Sequence, residues 1–366
     1  MGFVSTKVVI CPALRRLLAG GLLTTLFAIS ALAQRAEPGR DLLVMTSTND
    51  ATHNQVIVFR LETSPTPSLQ LDAILATGGA GGAGGNAGGL QFAGQFGAVV
   101  NYGSNTVSKL MRQGNVVAVS GTVNLASGCI HPLSVALNSS RLFVAGETCA
   151  EGHTWPNGAV AGPTVKLPDT TAGQIAAGQT WAAVTLKSGF VLQLPLTAGD
   201  LLAGNSTAVA LPANANNTPL GAAFWGDLLG FNPAHSPDSL ALVDAARHVY
   251  PVLGPQPAYP TNAPCWLAKG PGNAWYSGNS PGQAISIFFT DGQGGVFYKS
   301  VSLPGVPTDI TLSPDRKWLA VIYTAADGSG GRIAVFSVDA RGDLSPVATS
   351  SPVAGVPAFN GVAISQ

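Results

Sequence analysis

The sequence predicts an all-β fold: a seven-bladed β-propeller with four-stranded antiparallel blades, closed by N- and C-terminal strands that share one blade. Three observations lead there. Charged residues make up 10% of the 366, and there are 45 glycines and 26 prolines. An average domain has roughly 25% charge, so this composition disfavours helices and suggests many short strands joined by turns. A unit of turn, proline and apolar strand recurs at Pro132, Pro219, Pro264, Pro307 and Pro357, at intervals of 87, 45, 43 and 50 residues. A period of about 40–50 residues with several strands per period is the mark of propeller blades.

The elements follow in order. The first interval is twice the later ones, and "TAGQIAAGQTWAAVTL" near Gln174 fills the vacancy. One step back from Pro132 falls in "NAGGLQFAGQFGAVV" near Gly88. First strands are therefore expected near residues 88, 132, 174, 219, 264, 307 and 357, one per blade. The last full unit shows the internal pattern: "PTDITL", "KWLAVIY", "RIAVFSV" and "LSPVATS", separated by "SPDRK", "DGSGG" and "DARGD". Gly, Asp and Pro supply the backbone angles that such turns need. The segments "RDLLVMTST", "QVIVFRLE" and "LQLDAILAT" read as the second to fourth strands of a unit, and "AFNGVAIS" at the other end supplies the first. Closing the ring this way removes the free sheet edges.

Residues 1–33 read as an export signal: Lys7, Arg15 and Arg16, then "LLAGGLLTTLFAISALA" with an A-x-A site at Ala31–Ala33, giving a mature start near Gln34. Residues 34–366 are then one propeller domain, periplasmic or extracellular, with no membrane span after cleavage. Removing the leader leaves 15 basic against 18 acidic residues, a net charge of about −3. There is no basic stripe, so nucleic acid is not an expected partner.

"NYGSNTVSKL", "SPDRKWLAVIY" and "APCWLAKGPGNAWYSGNSPGQAISIF" resemble the secreted bacterial branch of the lactonase-like, YVTN-repeat seven-bladed propellers. Its cytoplasmic relatives include 6-phosphogluconolactonase and carboxymuconate cyclase. The resemblance spans the mature chain and implies the fold. Its motifs are blade-framework motifs and bring no catalytic residue with them. The pattern is irregular at "GETCAEGHTWPNGAVAGPTVKLPDTT", in the third blade.

Candidate site residues collect in particular loops. In a propeller the connections between blades and the loops between second and third strands emerge on one face. His131 is assigned to the first kind of loop and His53, His153 and His235 to the second, with Asp50, Glu147 and Asp309 in the same loops. In so uncharged a chain this suggests a ligand site at the channel mouth, with Trp155 as a ring for stacking. The bland alternative is that polar residues simply favour loops. Cys129-x-His131 and Cys149-x3-His153 share one blade. A Cys129–Cys149 disulfide suits an exported chain. A metal site of Cys129, His131, Cys149 and His153 has acceptable ligand types but no spacing that forces it together, and unpaired thiols are the third alternative.

Two segments look functional and are read as structural. "GNSPG" (Gly278–Gly282) matches a nucleophile elbow, but Pro281 has no N–H for an oxyanion hole. "GGAGGAGGNAGG" (Gly78–Gly89) lacks a P-loop Lys-Ser/Thr and reads as a flexible connection. The expected role is a binding or scaffold module, monomeric and without a cofactor, for a small molecule, a glycan or an envelope protein. The alternative is a lactonase-type hydrolase or isomerase acting on a non-phosphorylated lactone, with His131 or Glu147 as general base. A deep channel ending in a polar pair would favour the enzyme; a shallow, Gly-lined mouth would favour binding.

Overall fold

A computed structural model describes residues 41–63, 65–236, 238–254 and 262–366. The expected leader lies outside them. The described residues belong to the compact unit Gly39–Gln366. They form seven antiparallel sheets, each ordered from an innermost to an outermost strand. Asn360–Ser365 is the inner strand of blade 1 and pairs with Leu42–Ser47, so the two ends of the propeller share that blade. The other inner strands are Leu90–Ala93, Pro132–Leu137, Ala172–Ala177, Pro219–Trp225, Pro264–Lys269 and Gly305–Leu312, for blades 2 to 7. Among the described residues no helix is long and apolar enough to cross a membrane.

Two blades depart from the regular pattern. In blade 4 the outermost position is split between Leu201–Leu202 and Thr207–Val209, both paired with Phe190–Thr197. In blade 3 the third strand is Cys149–Thr154 and the fourth is only Val165–Lys166. The core lies between adjacent blades. One cluster joins Phe143 and Ala150 of blade 3 to Ile175 and Val184 of blade 4. Another sets Val100 and Val107 of blade 2 against Val144 of blade 3.

Each inner strand is paired on one side only, so its other edge faces the central channel. Buried N–H groups need acceptors there. Side chains of a preceding blade supply several: Gln91 Oε1 accepts from Leu137 N–H (3.3 Å), Ser134 Oγ from Ile175 N–H (3.2 Å) and Gln174 Oε1 from Ala222 N–H (2.7 Å). Between blades 5 and 6 the position holds Gly221 instead. A Cβ there would stand 2.6 Å from the Cys265 carbonyl oxygen, so only glycine admits the approach.

Inner strands begin at the connections between blades. The end where they begin is called the loop face here, and the end where they finish the turn face.

Candidate functional site

The loop face is organised by the glycine-rich segment, which is not a flexible connection. Its first half is pinned to the blade 1 loop: Gly81 N–H donates to Asp50 O and Gly82 N–H to Asn49 O. It passes Tyr102 of blade 2, where Gly103 N–H donates to Ala80 O. Its last residues then enter the channel. Asn86 Nδ2 donates to Leu133 O (2.6 Å), Ala87 N–H to Gly173 O (3.1 Å) and Gly88 N–H to Asp309 Oδ2 (3.0 Å). Trp266 Nε1–H donates to Asn86 O, and Asn360 Nδ2 to Asn86 Oδ1. Three consecutive buried residues thus touch the inner strands of blades 1, 3, 4, 6 and 7 and stop the channel. Glycine serves this because backbone without side chains fits a narrow channel. Gly88 has φ +66°, and a Cβ on it would meet Gln174 Nε2 at 3.0 Å and Ser134 Oγ at 3.1 Å.

Beside this stopper, blades 2 and 3 bring together Tyr102, His131 and Glu147. The Tyr102 hydroxyl donates to Glu147 Oε1 (2.5 Å), and His131 Nδ1 lies 2.8 Å from Glu147 Oε2. The Tyr102 and His131 rings stack at 4.5 Å. His131 has φ +52° and is held there by its N–H to Asn105 Oδ1 (2.7 Å). The largest single influence on Glu147 is partial burial, which raises its carboxyl. Hydrogen bonds from Tyr102 and His131, with the charges of His131 and Lys187, outweigh it and hold the group below the usual carboxylate range. The bond to Glu147, then burial, push the Tyr102 phenol up. Burial lowers the Lys187 ammonium, which donates to Gly85 O. Glu147 can only accept, so His131 Nδ1 carries a proton and Nε2 is left for a ligand. Tyr102 and Lys187 were not singled out from the sequence. The signal was the tyrosine inside "NYGSNTVSKL", at a second-to-third-strand turn on the same face.

A disulfide joins Cys129 and Cys149, with Cα atoms 5.3 Å apart, and ties the His131 loop to the strand that follows Glu147. The double replacement Cys129→Ser, Cys149→Ser is expected to cost about 3 kcal/mol of unfolding free energy. A denaturant titration of the oxidised protein against that variant measures it. Because both cysteines are consumed, the four-residue metal set does not form. Cys265, the remaining described cysteine, is buried, and burial pushes its thiol up to about 12. It is a small apolar side chain rather than a nucleophile.

Two expected loop-face residues are corrected. His153 lies within a strand and is fully buried: Nε2 is 2.8 Å from Glu151 Oε1 and Nδ1 is 3.0 Å from Gly158 O. Trp155 follows that strand towards the turn face and packs among Val123, Leu142 and Val144, 6% exposed. Neither can meet a ligand at the mouth. Asp50 and His53 sit at an exposed loop tip, where Asp50 Oδ1 takes the N–H groups of Thr52 and His53. The Thr52 hydroxyl bond, first among several, lowers the Asp50 carboxyl to about 2. His235 is exposed and lines a groove of about 540 Å³ with Ser188, Phe190, Asn216 and Asn217. Asp309 is buried inside the channel rather than displayed in a loop, with Oδ1 on Ile310 N–H (2.8 Å). Arg141 and Arg247 belong to turns on the opposite face.

No protein-family model and no curated protein matches the chain. Solved structures do. A protein of unknown function from Desulfotomaculum acetoxidans superposes with a TM-score of 0.64 at 11% identity, over 89% of this chain and 99% of that one. A candidate 6-phosphogluconolactonase from Bacteroides uniformis gives 0.62 at 15% identity, over 89% and 100%. Another from Bacteroides fragilis gives 0.59 at 13%, over 86% and 99%. The chain thus shares the lactonase-like seven-bladed fold, and at these identities the likeness is one of fold alone.

Proposed function

We propose that this chain is an exported binding module whose ligand surface is the loop face, and that its ligand is a glycan. One observation carries the reading: Asn86–Gly88 stop the channel on that face, so what remains is a shallow, glycine-lined surface rather than a deep pocket. Along it stand the Glu147-oriented His131 and, across the loop of Lys187 and Ser188, the groove with exposed Phe190, Asn216, Asn217 and His235. An exposed ring flanked by amides and hydroxyls suits the apolar faces and hydroxyl edges of sugars.

A second reading is favoured by His131 itself. An imidazole with Nδ1 fixed on a carboxylate and Nε2 unbonded is placed to act as a general base, as lactone ring opening requires. Arg141 and Arg247 stand at turns on the opposite face and bring no guanidinium to His131.

The test uses the protein exported by its own cells, whose N-terminus is expected at Gln34, in thermal-shift and calorimetric titrations with cell-envelope oligosaccharides and neutral lactones. An oligosaccharide should raise the melting temperature by mass action, and Phe190→Ala and His131→Ala should each weaken binding about tenfold or more. Lactone turnover abolished by His131→Ala would move the conclusion to the second reading. Oligosaccharide binding indifferent to both variants would overturn the loop-face site.

A further inference from the structure

The stopper closes the channel at one end only. Below it lies a cavity of about 240 Å³ lined by the far halves of the inner strands, from Gln91 and Ala136 through Ala177 and Phe224 to Lys269 and Thr311. Gly88, Gln174 and Asp309 form its closed end, and it opens on the turn face, away from the site described above.

The polar groups on its wall are partly spent, and what is left over defines a ligand. Gln174 is 6% exposed. Its Oε1 must face Ala222 N–H, because that group can only donate, so its Nε2–H₂ is the free end. No described residue accepts from Nε2. The same holds for Gln91, whose oxygen serves Leu137 N–H. The Thr311 hydroxyl likewise has no partner among the described residues. That leaves the two N–H donors of Gln174 Nε2 facing the cavity, open to an acceptor that enters. Asp309 adds a carboxyl that already serves the N–H groups of Gly88, Ile310 and Val362 and keeps one lone pair beyond them.

Charge narrows the class. An anion would meet the Asp309 carboxyl. A cation would meet the Lys269 ammonium, already held by the carbonyls of Gly270, Gly272 and Ala274. A hydroxyl accepts from amides and donates to a carboxyl, and Ala136, Ala176, Leu312 and Phe224 supply apolar wall for ring carbons. The volume falls below the roughly 300–1,000 Å³ of pockets for drug-sized ligands. We infer that this turn-face cavity is a second binding site, for a single uncharged, hydroxyl-rich ring of monosaccharide size.

The experiment titrates the exported protein with D-glucose and with myo-inositol, followed by calorimetry and by amide NMR shifts, with gluconate and glucosamine as charged counterparts. At least one neutral probe should saturate, with shifts at Gln174, Thr311 and Ala177, and each charged probe should bind about tenfold more weakly. Ala177→Phe, which fills the open end from a partly exposed position, should abolish binding. Thr311→Val, which removes one hydroxyl, should weaken it about threefold to tenfold and guards against a fold defect in the first variant. His131→Ala and Phe190→Ala should leave it unchanged, which separates this site from the loop-face one. The inference is overturned if neither neutral probe saturates, if binding survives both cavity variants, or if the loop-face variants remove it.

Discussion

Glu151→Ala is expected to destabilise the propeller by about 3–5 kcal/mol, the largest loss among the single replacements considered. Glu151 and His153 are 0% exposed and sit two residues apart on one face of a blade 3 strand. Both carboxylate oxygens take the Ala126 N–H (3.2 and 3.0 Å), and Oε1 lies 2.8 Å from His153 Nε2. His153 Nδ1 faces a carbonyl, so the ring donates from that side. Removing the carboxyl leaves His153 Nε2 and a backbone N–H without their partner at a fully buried position. Glu151→Gln should cost less, since its oxygen can still accept while its NH₂ opposes the Ala126 N–H. The double variant Glu151→Leu, His153→Leu should cost less than the sum of the two single changes, because apolar replacement of a whole buried pair is often near neutral. Urea titrations of the four proteins give the coupling directly. Strict additivity would mean that the two side chains are held by their backbone partners and not by one another.

The same pair shows where the sequence could be read and where it could not. Blade number, blade phase and the shared first blade were legible, because the repeat proline precedes each inner strand and the turn chemistry recurs with it. Cys129, His131 and Glu147 were legible too, since topology alone assigns their loops to one face. "CAEGHT" was misread because a buried polar pair has the composition of a loop. The strand signal was there, in the alternation of Cys149, Glu151 and His153, but polar residues filled the positions where a core strand shows apolar ones. Trp155 was misplaced with it, as the residue just beyond an unrecognised strand. The glycine-rich segment failed for a different reason. Its composition is that of a flexible linker, and what orders it are acceptors and donors on six blades, most of them far from it in sequence. No local pattern encodes a contact between Gly88 and Asp309, 221 positions apart.

Asp309 carries the second large effect, as a dependence of stability on pH. Burial, the dominant influence, pushes its carboxyl up to about 7, against the pull of backbone N–H groups of Ile310, Gly88 and Val362. The sign follows from proton binding. Below about pH 4 the group is protonated in the folded and the unfolded chain, and contributes no pH dependence. Between about pH 4 and 7 the unfolded chain gives up the proton while the folded one keeps it, so this residue lowers stability by up to ~1.4 kcal/mol per pH unit, on the order of 4 kcal/mol in all. Above pH 7 both states are ionised and the contribution is level. Asp309→Asn stays neutral throughout. Its amide nitrogen must oppose one of the three N–H donors, which adds a cost, but one that does not vary with pH. The informative quantity is therefore the difference in unfolding free energy, variant minus wild type, measured in urea from pH 4 to pH 8. It should climb through the acid range and flatten near pH 7. A difference that stays level from pH 4 upward would mean that the three N–H donors outweigh burial and that Asp309 is a full carboxylate in the fold. The closed end of the channel cavity would then hold a fixed negative charge at every pH above 4, and a neutral ring's hydroxyl would meet an ionised acceptor there rather than a carboxyl that is half protonated near neutrality.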